Sequence, residues 1–476
     1  MQDIVTKTKQ GLQWSAIERL LTQAVQLAIT LVLARVIGPA AFGLVGMLAI
    51  FIAIANTFVD SGFTSALIRK TDHTDNDLIT AFYYNILVSS LCYLILYSSA
   101  PYIADFYQQS ELKNLLRVLG ICVLINSLTL IPRVKLTVVM DFKTQAKISI
   151  ISVLVSGVTA LILAANGYGV WSLVIQTLLT AIFTTLLFNL FSPWRPKGKL
   201  NKESFNYLFG FGSKLLISGL LDVIHNNLYQ IIIGKKFTPV VVGEFSQANQ
   251  LASVPAMTLT SIIQRVTYPI FSQLQEDSDK IESAYRLTLK IAAVVIFPLI
   301  MGLAIIAKPL LAIVLGEQWQ SAASLLSVLC IGYMLYPIHS INLSLLQVKG
   351  RSDLFLKLEV IKKVVGVVIL LITIPFGVLT MCIGLSVTSY LALLFNTYYT
   401  AKLTSISQWQ QCKDILPIWL AAIASASTAY WVGLYWQDSQ FLQMTLSLIT
   451  ALTSYIVYIV MAQKPLLNQI RSALHR

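Results

Sequence analysis

Apolar stretches long enough to cross a bilayer follow one another along almost the whole chain, separated by short polar or basic turns. A spanning helix needs about 20 mostly apolar residues, and fourteen such stretches are expected. The first six cover residues 14–36, 42–67, 78–100, 112–131, 148–165 and 171–191. The next six cover 209–233, 242–268, 287–307, 322–346, 356–374 and 378–399, and 415–435 and 441–461 close the series. Lipid offers no partner to an unpaired backbone amide, so each stretch is expected to be a helix. The predicted fold is all-α and polytopic, with about fourteen transmembrane helices. The longest loops, around 192–205 and 272–282, are too short to hold a folded domain.

Composition points the same way. Hydrophobic residues make up 56% of the chain and charged residues only 12%, against roughly 25% charged in soluble proteins. So little charge cannot coat a water-exposed surface. The net charge of +13 would suit nucleic acid if it were clustered, but its distribution has another meaning. With the N-terminus inside, 25 of the 34 Lys and Arg residues fall in cytoplasmic segments or toward the cytoplasmic ends of spans, six on the outer side, and three, Arg19, Lys214 and Arg265, are counted within spans. Both termini are therefore expected on the cytoplasmic side. Attraction to anionic membrane lipids is a secondary use of the charge, and no nucleic-acid partner is expected. The polar first ten residues, with Glu18 and Arg19 inside the first apolar stretch, argue against a cleaved signal peptide. Five scattered cysteines without a C-x-x-C pair imply neither a disulfide framework nor a zinc site. The phosphate-loop, zinc-protease and nucleophile-elbow motifs are missing, so no catalytic residue, metal or cofactor is expected.

The chain also matches itself at an offset of 200 residues. Residues 33–43, holding Arg35, Pro39 and Gly43, lie over residues 233–243, holding Lys235, Pro239 and Gly243. Proline and glycine punctuate any helix turn, but that does not explain the matched basic residue or the matched helices on either side. Six spans per half is an even number, so the halves are expected to be parallel repeats about an axis along the membrane normal. The expected organisation is a six-helix lobe over 1–192, a basic cytoplasmic linker over 193–205 and a second six-helix lobe over 206–402. Residues 403–476 add two more transmembrane helices and a cytoplasmic tail. One departure concerns the turn itself, where Gly38 precedes Pro39 but Thr238 precedes Pro239.

Polar residues inside the spans recur at helical spacing. Ser15, Arg19, Thr22, Gln26 and Thr30 share one face of the first span. Lys214, Ser218, Asp222, His225, Asn226 and Tyr229 form a similar stripe on the seventh. Asn56, Asp60 and Thr64 mark the second span, and Thr258, Ser261, Arg265 and Tyr268 the eighth. An ionised side chain at mid-membrane costs at least about 2.5–3.5 kcal/mol, so these stripes must face one another or a watery cavity. The simplest geometry is a central cavity between the two lobes. A lone Gln or Ser is more often interhelical glue. Arg265, with no acid nearby in sequence, favours a ligand role, whereas Arg19 has Glu18 beside it and can also snorkel. His225 and His339 read as packed, hydrogen-bonded histidines with no second metal ligand at helical spacing. Basic side chains suit an anionic ligand, and the amides suit hydroxyl-rich cargo. Arg19, Gln26, Lys214, His225, Asn226 and Arg265 are thus candidate substrate contacts. Asp60, Asp222 and Glu18 are candidates for coupling to a proton or sodium gradient, with structural ion pairing as the equal alternative.

With these residues in view, the sequence resembles the polysaccharide-transporter branch of the MOP flippase superfamily, near Wzx-type exporters of the colanic-acid and teichuronic-acid kind. The likeness spans nearly the whole chain. It rests on Gly11-Leu-Gln-Trp-Ser15, residues 33–43, Asp60-Ser-Gly-Phe63 and Met140-Asp-Phe-Lys143. In the second half it rests on Arg265-Val-Thr-Tyr-Pro269, Gly316-Glu-Gln-Trp319 and Gly350-Arg-Ser-Asp353. The resemblance implies a two-lobed bundle in the bacterial inner membrane. It would move undecaprenyl-diphosphate-linked oligosaccharide units to the periplasmic leaflet by ion-coupled alternating access. It further implies a polysaccharide polymerase and a chain-length regulator as partners. A drug/cation antiporter of the same superfamily would carry mainly acids in its cavity. A glycan polymerase or ligase would need a long outer loop, whereas the turns at 166–169 and 374–377 carry no charge.

Overall fold

The computed structural model describes residues 21–60, 62–70, 72, 74–436 and 438–464. Glu18, Arg19 and the start of the first expected span lie outside the described residues. Within them every regular element is a helix and none is a strand. In chain order the first half holds α1 (Leu21–Ile37), α2 (Pro39–Asp60), α3 (Phe63–Arg69), α4 (Asp75–Tyr107), α5 (Leu112–Ser127), α6 (Leu130–Val138), α7 (Phe142–Ala165), α8 (Val170–Phe191) and α9 (Lys202–Lys236). There follow α10 (Pro239–Gln273), α11 (Ser278–Ile305), α12 (Ala307–Val314), α13 (Ala322–Tyr333), α14 (Tyr336–Val348), α15 (Ser352–Thr373), α16 (Val378–Ala401), α17 (Gln408–Leu434) and α18 (Gln440–Ala462).

Ten helical segments among the described residues are long and apolar enough to cross a membrane, or eleven when α5 and α6, bent by 44°, count as one span. The other three expected spans coincide with α1, α10 and α15. The described part of α1 is short. α10 carries Glu244, Gln247, Asn249, Gln250 and Arg265, and α15 carries Lys357, Glu359, Lys362 and Lys363, which lowers their apolar character. Outward faces confirm the medium. Leu87, Leu91, Leu94 and Ile95, at helical spacing on α4, are each more than half exposed, and such a stripe is stable only against lipid. This is a multi-pass membrane protein.

Helix ends follow local chemistry. Thr74 caps α4 in a reciprocal box with Asp77, and Ser407 caps α17 in one with Gln410. Asp141, Asn201, Asp277 and Ser439 cap α7, α9, α11 and α18 in the simpler way. Pro39 and Pro239 each open a helix, where the missing amide hydrogen is not needed. The two turns before them differ. Gly38 has φ 86, which favours glycine, whereas the second turn runs through an extended Phe237 at φ −126 and ψ 178. That is why Thr238 can stand where the first half has Gly38.

The chain forms two compact units, Met1–Gly243 and Glu244–Arg476. In the first, α7 packs on α8, α4 on α5, and α2 on α9. Phe63, Leu67, Leu78, Ile131, Val134 and Leu208 form a core that joins α3, α4, α6 and α9. Ile29, Leu33, Val153, Ala160 and Leu173 tie α1 to α7 and α8. In the second unit α11 packs on α17, α13 on α16, and α17 on α18.

Candidate functional site

The polar stripe expected on the seventh span falls on α9. Lys214, Ser218, Asp222 and Asn226, four residues apart, are all exposed on one face, as the helical period requires. His225 is half-buried beside them and Tyr229 is buried. α2 lies against this helix in antiparallel register. A Cβ on Gly234 would meet Met47 Cγ at 3.1 Å, one on Gly219 would meet Thr57 Cγ2 at 3.1 Å, and one on Gly62 would meet Gly212 Cα at 2.9 Å and Leu215 Cβ at 3.0 Å. Asp60 is therefore level with Lys214 along the pair. It is exposed, and its Oδ1 accepts a hydrogen bond of 2.7 Å from Thr64 Oγ1. Two stripes read separately from the sequence thus share one depth on two packed helices. Gln26, with Thr22 and Thr30, is half-buried on α1.

The repeat residues also meet. A Cβ on Gly43 would stand 1.7 Å from the Pro239 carbonyl oxygen, and one on Gly243 would stand 2.0 Å from that of Pro39. The two turns touch reciprocally, backbone to backbone, at equivalent positions. Arg35 and Lys235 are exposed next to this contact. Lys235 Nζ donates to the Phe106 carbonyl at 2.6 Å and sits 4.5 Å from the centre of its ring. Arg265 lies exposed on α10 in the second unit. Its neighbour Gln264 donates to Ser340 Oγ.

Three buried carboxylates among the described residues escaped the sequence reading: Asp77, Asp414 and Glu244, the last accepting from Ser321 Oγ. Asp77 has no solvent-exposed side-chain surface. Its Oδ2 accepts from Lys70 Nζ at 2.8 Å, from the Thr74 amide at 2.8 Å and from Thr74 Oγ1 at 3.0 Å. The hydrogen bond to Asp77 raises the pKa of Lys70. The linker docks beside it: Asn76 Oδ1 accepts from the Lys199 amide at 3.0 Å, and the Asn201 amide donates to Thr80 Oγ1 at 3.1 Å. In the second unit Asp414 takes a two-pronged contact from Arg286, at 2.6 and 2.9 Å, and a third from Lys290 at 3.0 Å. Next to it Tyr285, wholly buried, donates to Asn342 Oδ1 at 2.8 Å and lies 2.8 Å from Gln411 Oε1. The local sequence announces Asp77, because threonine followed three residues later by an acid is a capping signature. Nothing local announces Asp414, whose main partner is 128 positions away.

His339 is a packed histidine: Asn396 Nδ2 donates to its Nδ1 at 3.1 Å, and its Nε2 lies 3.0 Å from Ser389 Oγ. The serine hydroxyl donates onward to the Gly332 carbonyl at 2.8 Å, which leaves Nε2 as the donor of its own contact.

Lipid-facing helices that carry a continuous exposed polar ribbon define the polytopic helical transporters as a class. The same fold is found in the lipid II flippase MurJ in an inward closed conformation, with TM-score 0.75, 15% identity and coverage of 95% of this chain and 99% of that one. It recurs in an inward-facing multidrug resistance MATE transporter of the MOP superfamily, with TM-score 0.61, 17% identity and coverage of 82% and 98%. The chain belongs to the Polysaccharide biosynthesis protein family, matched over residues 32–324. It is 29% identical over 356 residues to the teichuronic acid biosynthesis protein TuaB of Bacillus subtilis (strain 168), covering 74% of each chain. It is 25% identical over 427 residues to the lipopolysaccharide biosynthesis protein WzxC of Escherichia coli (strain K12), covering 89% of this chain and 86% of that one.

Proposed function

We propose that this protein is a flippase for undecaprenyl-diphosphate-linked oligosaccharide repeat units, moving them from the cytoplasmic to the periplasmic leaflet of a bacterial inner membrane for surface polysaccharide assembly. One observation carries this reading: the ribbon Lys214, Ser218, Asp222 and Asn226 is exposed on a long membrane-crossing helix. Lipid cannot cover it cheaply, since each ionised group against hydrocarbon costs at least about 2.5–3.5 kcal/mol. Water or a polar headgroup must. Membership of a polysaccharide biosynthesis family supplies the cargo class, and the lipid II flippase with the same fold supplies the precedent of a lipid-linked substrate.

In this reading Lys214, Arg19 and Arg265 are each candidate phosphate contacts, because a cation donating to phosphate oxygens makes the strong charge-assisted contact. Gln26, His225 and Asn226 serve the sugar hydroxyls. Asp60, Asp222 and Glu18 are the groups whose proton or sodium occupancy would couple the alternating cycle to the ion gradient. Both termini are read as cytoplasmic, and a polymerase and a chain-length regulator as partners in the assembly line. The protein itself performs transport, not glycosyl transfer.

The test is deletion in the native host, with extraction of lipid-linked oligosaccharides, and complementation with Lys214→Ala and Arg265→Ala. Deletion is expected to accumulate the lipid-linked unit on the inner leaflet and abolish surface polysaccharide. Both variants are expected to insert normally and fail to restore export. Full export by both would remove these cations from the substrate path, and unchanged lipid-linked pools in the deletion would remove the cargo assignment.

A further inference from the structure

A cavity of about 270 Å³ opens in the second unit, between α12 and the pair α17 and α18. Lys308, Gln320, Gln440, Gln443 and Ser447 supply its polar wall, and Tyr430 flanks it. No carboxylate pairs with Lys308 among the described residues. The α17–α18 turn beside the cavity exposes Tyr430, Trp431, Tyr435, Trp436 and Phe441, with Tyr435 86% and Trp431 66% accessible. Exposed tyrosine and tryptophan rings gather where a membrane's headgroups meet its hydrocarbon. This cluster therefore sets the cavity at headgroup depth. The close crossing of the pair helps form the wall. A Cβ on Gly433 would stand 2.5 Å from Ser447 Oγ and 3.4 Å from Gln443 Cγ, so glycine at this position brings α18 and its polar residues against α17.

We infer that this cavity binds the headgroup of an anionic glycerophospholipid, with Lys308 on the phosphate and the glutamine amides on the glycerol hydroxyls. One ammonium balances one phosphate charge. A lipid diphosphate would bring more charge than the single cation neutralises, and a zwitterionic headgroup would bring an ammonium of its own to compete with Lys308. Amides both donate and accept, which suits hydroxyl groups. One lysine at headgroup depth can hold one phosphate through a charge-assisted hydrogen bond. The site is separate from the α9 ribbon and independent of what the protein transports.

The experiment is native mass spectrometry of the purified full chain, released from detergent after titration with phosphatidylglycerol, phosphatidylcholine, undecaprenyl phosphate or glycerol 3-phosphate. Phosphatidylglycerol is expected to bind about tenfold more tightly than phosphatidylcholine, and Lys308→Ala to lose about that factor, as for one charge-assisted hydrogen bond. Lys308→Arg is expected to retain it, and Gln443→Leu to weaken it without altering the melting temperature. Equal retention by wild type and a folded Lys308→Ala, or no preference over phosphatidylcholine, would overturn the inference. Displacement by glycerol 3-phosphate would make it a soluble phosphate site, and stronger binding of undecaprenyl phosphate would make it a carrier-lipid site; either outcome refutes the phospholipid assignment.

Discussion

Replacing Gly43 or Gly243 with alanine adds one methyl group at the point where the two repeated turns touch. The new carbon would lie 1.7 Å from the Pro239 carbonyl oxygen in the first case and 2.0 Å from the Pro39 oxygen in the second. Carbon and carbonyl oxygen come to rest at about 3.3–3.6 Å, so the backbones must separate by roughly 1.3–1.6 Å or more at that contact. No side chain can rotate away, because the obstacle is main chain at the first residue of a helix. Overpacking typically costs about 1–3 kcal/mol, and a main-chain clash should reach the upper part of that range. Opposing it is the helix preference of alanine over glycine, worth up to about 1 kcal/mol. Each variant should therefore lose about 2 kcal/mol. The double variant should lose less than the sum, since one separation relieves both clashes. Gly210 in α9 and Gly302 in α11 are the matched controls, because a Cβ at either meets nothing within 4 Å; alanine there should be neutral or stabilising. Thermal unfolding of the four purified variants, followed by tryptophan fluorescence, ranks them. Gly43→Ala and Gly243→Ala melting with or above the Gly210→Ala control would refute the reasoning.

Asp414→Asn should destabilise the second unit by about 2 kcal/mol, less than loss of a fully buried ion pair because Arg286 keeps 41% of its side chain exposed. Chemical denaturation with Arg286→Gln as the partner variant measures the coupling, and purely additive effects would deny it. Asp77→Asn should loosen the start of α4 and the docked linker while leaving the second unit untouched, read as faster amide exchange at residues 74–80 and 198–204. Tyr285→Phe should cost about 1–2 kcal/mol by leaving the buried Gln411 Oε1 without a donor, since Asn342 Oδ1 still accepts from Thr400 Oγ1, and a melting temperature equal to wild type would refute it.

The spans were legible because hydrophobic length is a property of the local chain. The repeated turn motif was legible, though not the contact between its two copies, because proline and glycine act on their own backbone. Pro39, Gly43, Pro239 and Gly243 could be matched with no knowledge of what they touch. The α9 stripe was legible for a related reason: four polar residues at intervals of four must share a face whatever packs nearby. Single-residue breaks were not legible. The expected span 42–67 is split near Gly62, whose φ of 68 ends one helix and starts another. The span 112–131 bends at the junction of α5 and α6. Averaged hydropathy smooths over both, because neither break changes how apolar the segment is.

Asp414, whose partners Arg286 and Lys290 lie more than a hundred positions away, was beyond reach of the sequence, whereas Asp77 pairs with Lys70 seven residues off. Asp77 and Asp414 are both buried carboxylates paired with cations of a neighbouring helix or turn, Asp77 through its Oδ2 only. A buried carboxylate without such partners would be very unfavourable, so each acid fixes which helix ends come together. On the α9 ribbon Lys214 has no carboxylate within ion-pair distance among the described residues, although Asp60 stands level with it on α2. A structural role would have used that acid. The exposed Lys214 ammonium and the Thr64-bonded Asp60 carboxylate are what the proposed transport role would use, and Lys214→Met or Asp60→Asn with full export would refute that use.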